Sequence, residues 1–358
     1  MTRRVIGIPA GILLLVFFAT MAFPKNHHQV SSAGTFQERS GTAIILTGAA
    51  ARIPQEAALL EELYNRGLLK DVVFISGVSS GALNAVMLNG ILSGKLSWAE
   101  YREILFDLKS SDIFIQDGKK KLPVNTNPER MLFKRIVEER LGYHKIGDLP
   151  FPTVISVTDL RELDLRRKVY RLCSRKINEE SDTTLSLVDI MMATSAFPLA
   201  FPAERIACVK TIPDADYVDG GVGDDHVPYH ALHEFEQQRG IGVERVYVVS
   251  RKNDSIPAVS EELKILGIDD KGRLDKHGIS LDNILMKGII KRLESFAEES
   301  PEMLDRSFVY IPDFKEHFLL FNFDHLKKQY ELSAKWAKVH DPVPLDDFLM
   351  THHRSKKK

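Results

Sequence analysis

The sequence predicts an α/β fold built on a mainly parallel sheet with helices on both faces. Two short apolar runs, Ala43 to Leu46 and Val72 to Ile75, suit strands buried on both sides. Helical spacing follows each of them. Ala57, Leu60 and Leu63 share a face over Pro54 to Asn65, and Ala82, Leu83, Ala85, Val86 and Leu88 repeat the pattern. Strand, turn and helix thus occur twice within about fifty residues, the mark of a parallel, doubly covered sheet.

The turn after Ile75 holds the chemistry. Gly77-Val78-Ser79-Ser80-Gly81 is a G-x-S-x-G pattern set between a strand and a helix. In that setting the pattern predicts a nucleophile elbow. Side chains at Gly77 and Gly81 would collide with the neighbouring strand and helix, and the new helix aims its positive end at the serine. Ser79 is the candidate nucleophile. Ser80 reads instead as a helix cap.

The other elements follow in order. Ser97 with Glu100 is a capping box opening a helix to Leu108. Ser110 to Pro123, with three consecutive lysines, reads as an exposed excursion. Asn127-Pro128 opens a helix, with Asn127 as cap. Thr153 to Thr158 and Lys168 to Cys173 are strand runs, and Leu187 to Thr194 is a short helix leading into a stiff two-proline loop. Tyr217 to Asp219 ends a strand closed by Gly220-Gly221, and Val246 to Ser250 is a further strand. Ile284, Leu285, Ile289, Leu293 and Phe296 lie on one helical face, read as core packing. Asp324 to Lys338 reads as the last helix.

Composition narrows the function. The chain has 358 residues, 44% hydrophobic and 27% charged, enough for a sizeable core. Its net charge of −1 carries no basic footprint for nucleic acid. The 12 histidines form no H-E-x-x-H, and the two cysteines, Cys173 and Cys208, form no C-x-x-C. No metal and no cofactor is indicated. The cysteines read as buried thiols, or as one disulfide if the body is exported.

Arg3 and Arg4 precede an uncharged stretch from Val5 to Pro24, most apolar over Ile12 to Phe18. Residues 1–24 therefore read as a signal peptide cut after Ala22, or as an N-terminal transmembrane helix acting as anchor. Either puts the body outside the cytoplasm, membrane-anchored or secreted and periplasmic. Residues 25–41 read as a polar linker, 42–350 as the folded domain, and 351–358 as a basic tail.

A serine nucleophile needs a base and an oxyanion site. Asp219, in D-G-G at a strand end, is the best base, although Asp-Gly is also a common turn. A set of motifs decides between these. Gly77 to Gly81, then Val157-Thr158-Asp159-Leu160, then Ser195-Ala196-Phe197-Pro198 with Phe201-Pro202, then Asp219-Gly220-Gly221, stand in the order and spacing of one family. The chain resembles the bacterial-type patatin-like phospholipase family over Thr42 to Val227. The resemblance implies a three-layer α/β/α domain with a central mainly parallel sheet. It implies a lipid acyl hydrolase with a Ser79–Asp219 dyad, a serine acyl-enzyme and no catalytic histidine. The substrate would be a membrane lipid or phospholipid, met at a membrane surface; no protein partner is indicated. The family's oxyanion loop, G-G-G-x-R-G, matches Gly48, Ala49, Ala50, Ala51, Arg52 and Ile53 here. Alanine resists the positive φ that glycine takes in such loops, so the hole is expected to be reshaped or weak. The N-x-P that follows D-G-G in the family is missing; Asp224, Asp225, His226, Val227 and Pro228 stand near its place. Two alternatives remain: a catalytically impaired lipid-binding protein on the same fold, and a Ser–His–Asp esterase using His277 or His317.

Overall fold

The computed structural model describes residues 40–48, 50–116, 122–160, 169–207, 210–223, 225–252, 264 and 286–355. The chain enters through β1 (Thr42–Leu46), passes a 3-10 turn at Ala50–Arg52, and forms α1 (Ile53–Asn65). Then come β2 (Val72–Gly77), α2 (Ser80–Leu92) and α3 (Trp98–Asp107), whose start carries the expected Ser97–Glu100 capping box. After the short α4 (Ser110–Ile113), α5 (Asn127–Phe133) continues as a π-helical stretch to Arg140. The strands β3 (Thr153–Asp159) and β4 (Val169–Cys173) form an antiparallel pair. Next follow α6 (Leu187–Ser195), β5 (Glu204–Arg205), β6 (Asp216–Asp219), α7 (His230–Arg239) and β7 (Arg245–Val249). The chain closes with α8 (Met286–Glu299), β8 (Ser307–Tyr310), α9 (Leu326–Ala337), β9 (Val343–Pro344) and α10 (Leu345–Ser355).

The sheet runs β5-β6-β3-β2-β1-β7-β8-β9, with β4 also on β3. Its centre, β3-β2-β1-β7-β8, is parallel, and its margins are antiparallel. The pleat of β1 sorts two cores. Ile44 and Leu46 pack with α1, α2, α6 and α9, through Leu60, Val86, Met191 and Tyr330. Ala43 and Ile45 pack with α7, α8 and α10, through Leu232, Leu293, Phe296 and Leu349. This is a three-layer α/β/α domain.

Register brings two distant segments together. Along one edge of β3, residues Val154 to Thr158 pair with β4. The other edge is shared. Thr153 to Ile155 pair with the parallel β2, and Val157 to Asp159 pair with the antiparallel β6. The C-terminal ends of β2 and β6 therefore face each other, Gly77 opposite Ile155 and Asp219 opposite Val157. Two residues of strand separate them, about 6–7 Å.

Several expectations change. The stretch from Ser110 is not wholly an exposed excursion: α4 buries Ile113, and residues 117–121 lie outside the described residues. The cap of α5 is Thr126, not Asn127. The last helix is not that of Asp324 to Lys338, because α10 follows it and runs into the stretch read as a basic tail. The expected transmembrane helix and membrane anchor are corrected: among the described residues no helix is long and apolar enough to cross a membrane. The stretch 1–24, on which that expectation was built, lies outside the described residues, as do Ile284, Leu285 and His277. Cys173 is a buried free thiol pushed up to about 12 by burial, and Cys208 is outside the described residues.

Candidate active site

The elbow forms because three glycines leave room for it. A Cβ at Gly77 would sit 2.7 Å from the Gly81 carbonyl oxygen. One at Gly81 would sit 2.7 Å from both the Gly48 nitrogen and the Leu46 carbonyl oxygen. Gly48, at φ 68°, could bear no Cβ without overlapping the Val78 carbonyl. Between them Ser79 is held at φ 55°, ψ −135°. A serine in that region stores about 1–3 kcal/mol of strain, which the surrounding contacts must hold. One of them is specific. The Ser79 N–H donates to Thr194 Oγ1 at 2.9 Å, and that hydroxyl donates to the Ser156 carbonyl at 2.8 Å. Thr194, at the end of α6, thus ties the elbow to β3.

Asp219 arrives from β6, is buried, and lines the same cavity as Ser79. The Gly221 N–H donates to its Oδ1 at 2.8 Å, so the second glycine of D-G-G orients the carboxylate. A Cβ at Gly220 would lie 2.5 Å from the Ser156 carbonyl oxygen, which explains the first. Burial pushes the Asp219 carboxyl up to about 6, while Ser79 and the Gly221 N–H partly oppose it.

The alanine-bearing loop is described at Gly48, Ala50, Ala51 and Arg52; Ala49 lies outside the described residues. The Gly48 N–H is taken by Glu56 Oε1 at 3.0 Å, and the Ala51 N–H by the Leu320 carbonyl at 2.7 Å. The Arg52 guanidinium is buried on the Phe318 carbonyl at 2.6 and 3.1 Å. These three groups brace the loop. Ala50 sits at φ 48°, the left-handed turn that the glycine pattern foreshadows, and lines the cavity. Behind the loop, buried Glu56 also accepts from Thr47 and Asn84. Burial raises it to about 7, against those hydrogen bonds and the charge of Arg251.

Ser79 and Asp219 open on a cavity of about 120 Å³. Its wall is largely apolar, with Leu83, Leu105, Leu132, Met191 and Phe321 among its residues. Ser195, Phe197 and Phe201 of the two-proline loop also line it. His226 lines it as well, which the sequence did not signal. His317 does not. Among the described residues no group of three or more His, Cys, Asp or Glu could hold a metal ion.

Residues 44–233 match the patatin-like phospholipase family, more than half of the chain. The chain belongs to the patatin-like phospholipase family. It has that family's general lipid-hydrolase and esterase character. Among solved structures it is similar to VipD from Legionella pneumophila, at 11% identity and a TM-score of 0.40, over 85% of this chain and 67% of that one. None of the curated proteins compared with it matches.

Proposed function

We propose that Ser79 and Asp219 form the catalytic dyad of a lipid acyl hydrolase. The single observation that carries this is a strained elbow serine and a buried carboxylate lining one apolar cavity. Asp219 accepts the Ser79 proton as the serine oxygen bonds to the ester carbonyl carbon. The tetrahedral intermediate collapses, the C–O bond to the alcohol breaks, and the leaving oxygen takes the proton back. Water then attacks the acyl-serine, again giving a proton to Asp219, and the fatty acid leaves as Ser79 is re-protonated.

In this reading the oxyanion is served by the first turn of α2, through the Ser80 N–H, and by the loop at Ala50. With Gly48 and Ala51 engaged elsewhere, fewer loop donors remain, so turnover is slow. One missing donor costs about 10²–10³ in rate. We assign residues 42–350 to one catalytic domain. A fluorophosphonate probe should label wild type at Ser79 and leave Ser79→Ala unlabelled. Mass spectrometry of phospholipid vesicles incubated with wild type should show free fatty acid. An unlabelled wild type with no acid released would end this reading in favour of lipid binding without chemistry.

A further inference from the structure

Glu129 stands in the first turn of α5 and is 4% exposed, on the wall of the apolar cavity. Acids are rarely buried so deeply without a cation. The neighbouring cation is already shared, since Arg130 reaches Asp189 at 2.6 Å and Glu204 at 2.7 Å. Ser195, whose hydroxyl donates to the Met192 carbonyl at 3.2 Å, acts on Glu129 and lines the same cavity. Its Oε2 has no protein partner among the described residues. Burial raises the carboxyl to about 8; Ser195 pulls the other way, Glu204 adds to the rise and Arg130 opposes it. At neutral pH the group is therefore mainly a neutral acid. Around it, Leu132, Phe133 and Met191 line the same cavity. A leucine here would extend that wall with no orphaned polar atom. A buried oxygen left unpaired needs a reason, and a cavity wall supplies one: the partner comes with the ligand.

We propose that Glu129 is a specificity-determining residue that hydrogen-bonds an oxygen on the acyl chain itself, so that the preferred substrates are esters of hydroxylated fatty acids. This rests on the reading of the cavity as the acyl site. The neutral acid offers one donor and one acceptor. With the proton on Oε1, Oε2 accepts; with the proton on Oε2, it donates. A hydroxyl satisfies either arrangement, whereas a ketone or ether satisfies only the second. An ammonium group would require an ionised Glu129 in an apolar wall, which burial opposes. A site built around such a hydrogen bond discriminates against the analogue lacking it, because the buried group is again left unpaired.

The test separates binding from chemistry. In full-chain Ser79→Ala protein, a bound fluorescent fatty acid is displaced by octadecanoate or by its monohydroxy isomers, with the hydroxyl moved along the chain. One isomer should displace the probe at about tenfold lower concentration than octadecanoate. Adding Glu129→Leu should erase that difference, and Glu129→Gln should keep part of it, because an amide both donates and accepts. If Glu129→Leu melts below the assay temperature, Glu129→Met makes the same comparison. Equal displacement by every isomer, or a preference that survives Glu129→Leu, overturns the proposal. The second arm is hydrolysis of the matching 4-nitrophenyl esters by wild type. Cleavage of all esters at one rate sinks the specificity and leaves the hydrolase. A binding preference with no cleavage upholds the Glu129 assignment and sinks the Ser79 chemistry.

Discussion

Two buried aspartates, six residues apart in sequence, are treated in opposite ways. Asp219 is 7% exposed and Asp225 1%. Asp219 has Ser79 and one N–H for company, and burial pushes it up to about 6. Burial would raise Asp225 too. Arg171 at 3.1 Å, His230 at 3.3 Å and the Ser156 hydroxyl instead hold it well below the usual carboxylate range. One carboxylate is neutralised by its surroundings. The other is left basic enough to take a proton near neutral pH. The Asp225 N–H donates to the Gly220 carbonyl at 3.3 Å, so the saturated site lies directly behind the reactive one. We read Asp225 as the brace of the D-G-G turn and Asp219 as its reactive end.

The largest expected effect breaks the reactive side alone. Ser79→Ala should lower ester hydrolysis by about 10⁴-fold or more, to background, with the fold intact by circular dichroism. Arg171→Met should do the reverse. It takes the arginine charge from buried Asp225, leaving His230 and the Ser156 hydroxyl, and should cost up to about 3 kcal/mol of stability in urea unfolding. Activity per folded molecule should change far less. An unchanged urea midpoint would show that Asp225 does not depend on Arg171.

Asp219→Asn joins the two quantities. Removing the base should lower the rate by about 10²–10⁴-fold. The same change should stabilise the protein at alkaline pH. The native Asp219 carboxyl is raised to about 6, above its unfolded value, so the native state holds its proton longer. Below the unfolded value both states are protonated and no cost exists. Between there and pH 6 the unfolded chain ionises first, and stability falls. Above pH 6 the loss is complete, about 3 kcal/mol at 1.36 kcal/mol per pH unit. Asparagine has no such loss, so wild type and variant should match in acid, diverge as pH rises towards 6 and stay apart above it. The rate should follow the other sign: kcat/KM of wild type rises with pH and levels off above about 6, as Asp219 ionises. An acid limb near 4 would mean that this carboxylate is solvated like any other.

Much of this was legible in the sequence, for a physical reason. The elbow and D-G-G depend on local sterics, and local sterics are written in consecutive residues such as Gly77, Ser79 and Gly81. The α/β class with a mainly parallel sheet followed from apolar runs and helical spacing. What escaped is set by partners far apart in the chain. Thr194 reaches Ser79 across 115 positions, and nothing near Thr194 announces it. Glu56 and Glu129 lie on helices, and nothing in their local sequence marks them as buried. Their burial depends on what packs over them. The brace on Asp225 needed β4 in register against β3, with Arg171 opposite Ser156. The motif set placed Asp219 beside Ser79 only by resemblance; the shared edge of β3 gives the geometric reason.

The smallest effect concerns the loop, where the same contrast recurs within three residues. The chain turns left-handed at Gly48 and again at Ala50, at φ 68° and 48°. At Gly48 there is no room for a side chain, so glycine is required. At Ala50 a methyl group is present and the backbone bears the strain, about 1–2 kcal/mol for an L-residue. Ala50→Gly removes it but gives the unfolded chain more freedom, worth about 0.4–1 kcal/mol. The net gain should therefore be under about 1 kcal/mol, read as a small rise in urea midpoint. Catalysis should respond by less than about tenfold, upward or not at all, because the N–H at residue 50 keeps its direction. A clear loss of activity in Ala50→Gly would show that the methyl group itself shapes the cavity mouth. The rise should be absent in Ala51→Gly, whose N–H is already fixed on Leu320.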